Sequence, residues 1–401
     1  MHVLRWTLKL FIASGYFLPP TLKSPTKRFL YNLYTVFVTL YIWSYCLTLI
    51  MDIFYNVKTQ DDLSENFSVT VSILITGYKF VSLVLGRKTI INMLDLLKKR
   101  PFVPENNGEG EIHARYDNLI EKVAVGYTIQ ITFCVFSLLG AALMGDFKSK
   151  KLMFRAWFPF DITSSWFVFS MTFIYQLVGL VIISNGVCIF DTLFAGLLLH
   201  ICCQLEILVY RLHNIEGNEI QSLKHCVWHH NKIFRFVFCV LLFKQINELT
   251  KLMEGYERNR NKLFADIVND FFNKLMFMQF VESAISICFV LYLLTDIEDT
   301  AQLIGWSTFM FAAIFQTFYF CWFGDVAKVK SLDISNMVYN SDWLNLSSDA
   351  RKMLVVIMAR SLTPVEITSA YILPMNLESF KGLMKVAYSA YNMLLRSKSS
   401  K

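Results

Sequence analysis

Long apolar stretches alternate with short polar ones along this chain of 401 residues. Residues 29–51 contain no Asp, Glu, Lys, Arg or His, and about 20 apolar residues in a helix cross the hydrocarbon core of a bilayer. Further apolar stretches follow at residues 67–86, 123–144, 162–190, 275–295 and 301–324, with a weaker, charged one at 376–395. Because lipid offers the backbone no hydrogen-bonding partner, stretches this long must be helices. The pattern predicts an all-α polytopic membrane protein with seven transmembrane helices.

The fourth stretch is longer than one bilayer crossing requires. Only Asp191 interrupts it before residue 205, so we expect one helix that leaves the membrane and continues into a cytoplasmic layer. Apolar positions recur with helical spacing at 206–270 and 346–362, which predicts a cytoplasmic helical anchor. The predicted parts are an N-terminal cytoplasmic segment, four spans, an anchor region, two further spans, and a C-terminal part with further anchor residues, a last span and a tail: residues 1–28, 29–205, 206–274, 275–324 and 325–401.

The charges between the stretches predict the orientation in the membrane. Residues 1–28 carry five Lys or Arg and no acid, and residues 87–122 carry seven Lys or Arg, whereas residues 52–66 carry one Lys against four acids. Cytoplasmic loops are enriched in Lys and Arg, so the N-terminus is predicted inside and the C-terminus outside. One loop disagrees, since its basic residues fall on the predicted outer side: Lys148, Lys150, Lys151 and Arg155.

Composition agrees with a membrane protein. Hydrophobic residues make up 55% of the chain and charged residues 17%, against about 25% charged residues in soluble domains. The 36 Phe and 18 Tyr suit interfacial belts and a pocket for apolar ligands. The net charge of +7 sits in loops between spans, so positive-inside topology explains it better than nucleic-acid binding does.

Signatures of catalysis are missing from the sequence: it contains no phosphate-binding loop, HExxH or nucleophile elbow. We therefore predict no enzyme activity, no catalytic residues, no cofactor and no metal. The pair His229-His230 has no partner at ligand spacing, so a solvated helix face is the expected setting. The nine cysteines show neither metal-site nor disulfide-framework spacing.

A few polar residues near or inside the spans are candidate functional groups. Glu282 is the only acid well inside a strong span, and such a residue is a functional candidate by default. We expect it to pair with Lys79 or Lys274 near the interface, where the Lys79 amine can reach the headgroups. Asn66 begins the sequon Asn66-Phe67-Ser68 on the predicted outer face and is a candidate glycosylation site.

The last third of the chain resembles the signature of insect odorant receptors. The resemblance rests on an ordered set of positions: Tyr319, Cys321, Gly324, Ser331, Tyr339, Trp343, Arg351, Pro364, Thr368 and Phe380. Earlier positions that match are Lys79, Gln176, His230 and Gln279-Phe280. The chain departs from the family at Lys330 and Met337. It also departs at residues 237–264, which read either as a cytoplasmic insertion or as translated non-coding sequence.

The resemblance implies a subunit of a ligand-gated, non-selective cation channel in the plasma membrane of olfactory sensory neurons. It further implies a volatile small-molecule ligand and a heterotetramer with a co-receptor subunit, this chain being the ligand-binding subunit. Three alternatives stay open: a gustatory-type receptor channel that assembles alone, a metabotropic seven-helix receptor and a transporter. The predicted inside N-terminus speaks against a G-protein-coupled receptor.

The resemblance also places candidate site residues, all of which could equally be bundle packing. Ligand-binding candidates lie in the outer halves of spans two, three, four and six: Leu74, Ile75, Phe133, Phe136, Ser137, Phe169, Phe173, Ile174, Phe309, Ala313 and Gln316. Pore candidates near the outer mouth of the last span are Met393, Arg396 and Ser397, with Lys381 and Lys385 deeper along the same helix. An apolar ring such as Met393 can close a pore by excluding water.

Overall fold

The fold is almost entirely helical. The computed structural model describes residues 4–16, 18, 24–147, 149–215, 219–241, 258–295, 297–340, 343, 346–369 and 373–399. A few of these, chiefly 237–241, 258–274 and 397–399, are described by the backbone alone. The elements in chain order are α1 Arg5–Ala13, α2 Pro25–Tyr55, α3 Gln60–Leu85, α4 Arg87–Leu96, α5 Asn107–Ala141, the π-helical turn Ala142–Asp146, α6 Trp166–His213, α7 Glu219–Leu241, α8 Arg258–Leu293, α9 Thr300–Tyr339, α10 Ser348–Ser361, β1 Thr368–Ser369, β2 Leu373–Pro374 and α11 Leu377–Ser399.

Six helices among the described residues are long and apolar enough to cross a membrane: α2, α3, α5, α6, the Leu275–Leu293 part of α8, and α9. They coincide with the six strong stretches of the sequence. The seventh, weaker stretch forms α11, a helix that carries too many charges to meet the same criterion. The prediction of an all-α polytopic membrane protein is confirmed, while its inside–outside orientation stays a prediction.

The long fourth helix forms as predicted. α6 has 48 residues, which at 1.5 Å per residue is about 72 Å, more than twice the ~30 Å hydrocarbon core. Its residues 188–205 are buried on every side, since α5, α7 and α9 surround its second half. One hydrophobic core therefore lies inside this helical anchor layer, and a second lies around the first half of α6.

Ion pairs account for one basic residue, Arg155, of the loop that disagreed with the charge pattern. The Arg155 guanidinium lies 3.7 Å from the Asp52 carboxylate and 3.9 Å from that of Glu65, and it also pairs with Asp62. Asp52 belongs to the end of α2, and Asp62 and Glu65 belong to the start of α3, so this loop and the α2–α3 connection meet at one end of the bundle. A hydrogen bond from the Trp157 amide to the Thr48 carbonyl, 2.9 Å long, packs the loop against α2.

The prediction of a solvated face for the His229-His230 pair is wrong, because both rings are buried. The Arg211 guanidinium donates to His229 Nδ1 at 3.1 Å, and His229 Nε2 donates to Gln204 at 3.0 Å. Arg211 also pairs with Glu109, at 2.7 Å between Nη2 and Oε2. Burial lowers the pKa of both histidines, and nearby Arg211 and Arg360 add to this; the pKa of His230 falls to about 4. Both rings are therefore neutral at pH 7 and hold α7 to the anchor layer.

Two further predictions fall wholly or partly outside the described residues. Most of the 237–264 insertion lies in residues 242–257, which the structure does not describe, between the end of α7 and the start of α8. Ser397 belongs to α11, but its side chain is not described.

Candidate functional site

An internal cavity of about 120 Å³ lies between α2, α3, α5, α6, α8 and α9. Phe154, from the loop between α5 and α6, forms part of its wall. The cavity therefore occupies the half of the bundle next to residues 147–165, the half predicted to face outside. Most of its lining is apolar: Val69, Ile73, Ile131, Cys134, Val135, Leu138, Leu180, Ile183, Val187, Phe309, Ala312 and Ala313.

Tyr45 of α2 brings a polar group to this apolar wall. Its side chain is fully buried, it lines the cavity, and its hydroxyl has no hydrogen-bonding partner. An unpaired buried hydroxyl is costly, so each one calls for an explanation. A ligand oxygen or nitrogen in the cavity is the partner that would satisfy it.

Gly179 allows the Tyr45 ring to lie against α6. A Cβ atom built on Gly179 would lie 2.7 Å from Tyr45 Cδ1, closer than real contacts allow. The absence of a side chain at 179 therefore fixes the distance between α2 and α6 at this level. It also sets the position of the Tyr45 ring at the cavity wall.

A buried polar cluster closes the cavity on the side away from Phe154. Its members come from five helices: Lys79, Tyr127, Asp191, Gln279, Glu282 and Gln316. The Lys79 ammonium lies 3.9 Å from the Asp191 carboxylate and donates to Gln279. Gln316 links Asp191 to Gln279: its side-chain amide donates to Asp191 at 2.6 Å, and its side-chain oxygen accepts from Gln279 at 3.0 Å.

This cluster corrects the expected setting of Lys79 and Glu282. Lys79 is 2% exposed and points into the bundle, so its amine does not reach the headgroups. Glu282 accepts a 2.7 Å hydrogen bond from Ser72 and one from Gln279, and it belongs to the same cluster as Lys79. Charges buried in a membrane protein need such partners, and the cluster therefore fixes how α3, α5, α6, α8 and α9 meet.

Gln176 holds the loop segment that covers the cavity. Its side-chain amide donates to the Phe154 carbonyl at 2.8 Å and accepts from the Phe154 amide at 3.2 Å. Gln176 itself is fully buried. This two-point contact acts like one rung of a β-ladder, and it keeps the Phe154 ring against the cavity.

Three of the residues predicted to bind ligand line the cavity: Phe309, Ala313 and Gln316. Phe169 and Phe173 are buried beside it, in a group of rings around Phe147. Ile75 is buried but lies outside the lining, and Ser137 accepts a 3.0 Å hydrogen bond from Thr308.

Four other predicted ligand-binding residues lie on the outer surface of the bundle, which corrects their placement. Leu74, Phe133, Phe136 and Ile174 are all exposed, the two phenylalanines by 66% each. Phe133 lines a separate surface cleft with Leu303 and Phe311. Their depth along the helix agrees with the prediction, but their side chains face away from the cavity.

The sequence reasoning missed the contribution of the first and fifth spans. Tyr45 comes from α2, and Gln279 and Glu282 come from α8. A signal was present in α2, since hydroxyl groups recur at Tyr41, Tyr45 and Thr48, at the i, i+4 and i+7 positions of one helix face. Such spacing marks one face of a helix that meets polar groups.

The structure contradicts the glycosylation prediction at Asn66. Its side chain is 2% exposed, and Nδ2, the atom that would carry a glycan, donates to the Leu49 carbonyl at 3.2 Å and to Asp52 at 2.8 Å. Its Oδ1 accepts from Thr70 at 2.6 Å. Asn66 therefore joins α3 to α2 and leaves no room for a sugar.

The predicted pore helix packs on α8 and α9 with one face. Ala387 is buried against Ile287 and Ala313, whereas Lys381, Lys385 and Met393 are exposed. Arg396 is also exposed. The face of α11 that carries Lys381, Lys385 and Met393 is therefore exposed in the part of the chain that the structure describes.

The family model described as "7tm Odorant receptor" matches residues 59–388, the range that contains most of the cavity and the polar cluster. The chain belongs to the odorant receptor family. Odorant receptor 2a of Drosophila melanogaster is 23% identical over 96% of this chain and 94% of its own length. Odorant receptor 10 of Aedes albopictus is 29% identical, over 37% of this chain and 39% of its own.

Solved structures show the same fold. The insect olfactory receptor OR5 from Machilis hrabei, in complex with eugenol, superposes with a TM-score of 0.82 at 19% identity, covering 99% of each chain. The same receptor without eugenol gives a TM-score of 0.81 at 18% identity. This odorant receptor therefore has the architecture of an insect olfactory receptor over its whole length.

Proposed function

We propose that this odorant receptor is the ligand-binding subunit of a cation channel that opens when a small volatile molecule occupies the cavity. The observation that carries the proposal is the mostly apolar cavity lined by Tyr45, whose hydroxyl has no hydrogen-bonding partner. Apolar walls supply affinity in proportion to the area they bury, and a single polar group supplies orientation.

The size of the cavity favours a compact ligand. An engineered protein cavity of about 150 Å³ holds benzene, so about 120 Å³ suits a single small ring or a short chain. Eugenol, which the Machilis hrabei receptor holds, is a single-ring compound with oxygen substituents. We expect the ligand of this chain to be of similar or smaller size, with one oxygen or nitrogen able to pair with Tyr45.

Contact between the cavity and α11 supports a gating role. Ala313 lines the cavity, and it also packs against Ile287 of α8 and Ala387 of α11. A ligand that favours one position of Ala313 over another thereby biases the position of α11. Only such a difference in affinity between two arrangements can shift a channel between closed and open.

The remaining assignments follow from family membership. We assign α11 to the pore, with Met393 at the outer mouth, and the layer formed by α7, α10 and the second half of α6 to a cytoplasmic anchor. We further propose a heterotetramer with a co-receptor subunit in the plasma membrane of olfactory neurons.

Recording currents tests this function. Cells that express this chain with an odorant receptor co-receptor should conduct cations when a panel of compact volatiles is applied. Cells that express only this chain, or only the co-receptor, should show no such current. Currents from this chain alone would favour the gustatory-type alternative. Second-messenger production with no channel current from the co-expressed pair would contradict the channel proposal.

A further inference from the structure

Two histidines and an aspartate meet between α5 and α6, well away from the ligand cavity. His113 and Asp117 lie four residues apart on α5, on one helix face, and His200 lies opposite on α6. One donor atom from each residue lies within 4.8 Å of those of the other two. At 1.5 Å per residue, this cluster is about 20 Å along α5 from the cavity-lining residue Ile131.

The donor atoms of this cluster have few partners. His113 and His200 are 5% and 1% exposed, and neither ring nitrogen of His200 has a hydrogen-bonding partner. His113 Nε2 and Asp117 Oδ1 also lack one. Only the contact between His113 Nδ1 and Asp117 Oδ2, at 3.1 Å, joins the cluster internally. Buried side chains with so many open positions are rare in folded proteins.

Two imidazoles and a carboxylate form a donor set that binds zinc. Zinc accepts nitrogen and carboxylate oxygen ligands at about 2.0–2.2 Å in tetrahedral geometry, with a fourth position open to water. Two such ligands are then about 3.3 Å apart, close to the 3.1 Å between His113 and Asp117. Zinc binding would draw the His200 donor atom, which lies within 4.8 Å of the other two, to the same separation.

A route to the cluster exists from the surface. A cleft of about 390 Å³ lies between α1 and α5, lined by Trp6, Asp117 and Glu121 among others. Asp117 therefore faces both the cleft and the two buried rings. The acids Asp117 and Glu121 line this cleft together with one basic residue, Arg5 of α1.

We propose that His113, Asp117 and His200 form a zinc-binding site that joins α5 to α6. The ion cross-links the two helices below the cavity, at the point where α6 enters the anchor layer. Binding that occurs only in the folded state stabilises that state.

Zinc titration of the purified full-length protein in detergent tests the proposal. After chelator treatment and dialysis, competition with a chromogenic zinc chelator should show one tight site per chain. Asp117→Asn, which keeps the shape of a partly exposed residue, and His200→Gln should each weaken binding at least about tenfold, the lower limit seen even for loss of residues that only orient zinc ligands. The control is His213→Gln, which removes an exposed histidine at the end of α6.

Unchanged zinc affinity in Asp117→Asn would overturn the site. The absence of a tight zinc site in the unsubstituted chain, or an equal loss of zinc affinity in His213→Gln, would overturn it as well. Thermal unfolding provides a second readout that does not depend on His200→Gln folding well. Zinc should raise the midpoint of the unsubstituted chain and of His213→Gln, but not that of Asp117→Asn. An equal rise in all three would likewise rule the site out.

Discussion

At the residue scale, we expect the ligand selectivity of the cavity to depend on one polar group, the Tyr45 hydroxyl. The amides of Gln279 and Gln316 already bond to neighbours in the polar cluster. Tyr45 instead offers a hydroxyl without a partner. A ligand that carries one acceptor or donor therefore gains a hydrogen bond at Tyr45 that a hydrocarbon of the same shape does not.

Replacing Tyr45 with Phe should reduce responses only to ligands with an oxygen or nitrogen. Loss of one hydrogen bond costs about 0.5–1.5 kcal/mol, so half-maximal concentrations for such ligands should rise about two- to tenfold. Responses to matched hydrocarbons should stay within twofold. Dose–response curves from cells that express the co-receptor provide the measurement, and equal shifts for both ligand classes would contradict the role of the hydroxyl.

Gly179→Ala should disturb the same site from the other side. Its Cβ would come within 2.7 Å of Tyr45, and such overpacking costs about 1–3 kcal/mol. We expect a lower unfolding temperature and weaker responses to all ligands. Gly126→Ala is the matched control, since its Cβ meets nothing within 4 Å and alanine favours a helix by about 0.5–1 kcal/mol. Equal effects of the two substitutions would contradict the close contact.

The sequence predicted the level of each candidate residue along its helix better than the side of the helix on which its side chain lies. Phe309, Ala313 and Gln316 of α9 do line the cavity. Several helices pack against α9, so most positions on this helix face the protein interior. Phe133 and Phe136 have the right depth but face outward. Span three is apolar on its lipid-facing and inward sides alike, so hydrophobic periodicity cannot tell the two apart.

At the element scale, α11 differs from the other spans. Its exposed face carries Lys381 and Lys385, whereas Ala387 packs against α9. Glu378, Lys381 and Lys385 favoured a pore helix over a lipid-facing one, and that placement stays a prediction. The packing of Ala387 against a cavity residue was not predictable, since it joins positions more than 70 residues apart in the sequence.

Reversing a charge on α11 should change ion flow. If Lys385 faces the conduction path, Lys385→Glu should increase the permeability to divalent cations relative to sodium, because rings of charge set the ion selectivity of pores. Reversal potentials in calcium and sodium solutions measure this. Lys352→Glu makes the same change on an exposed position of α10 and should leave permeability unaltered. A shift of equal size in both variants would rule out a pore position for Lys385.

At the scale of the whole molecule, the sequence predicted the six strongly apolar helices and the unusual length of α6. The charges of the loops are the basis for the proposed orientation in the membrane. Arg155, one of the four basic residues of the loop that opposed this pattern, meets Asp52 and Asp62 at one end of the bundle. Its partners precede it by about 90 residues or more. Counting charges loop by loop could not reveal that they neutralise one another.

The most direct test of the account is to fill the cavity without changing the surface. Ala312 is buried, lines the cavity and belongs to α9, so Ala312→Leu places a larger side chain in the ligand's space. Ala301→Leu makes the same change in the first turn of α9, outside the cavity lining. With equal surface expression and the co-receptor present, volatile-evoked current should disappear in Ala312→Leu and persist in Ala301→Leu. Normal dose–response curves in Ala312→Leu would contradict ligand binding in this cavity.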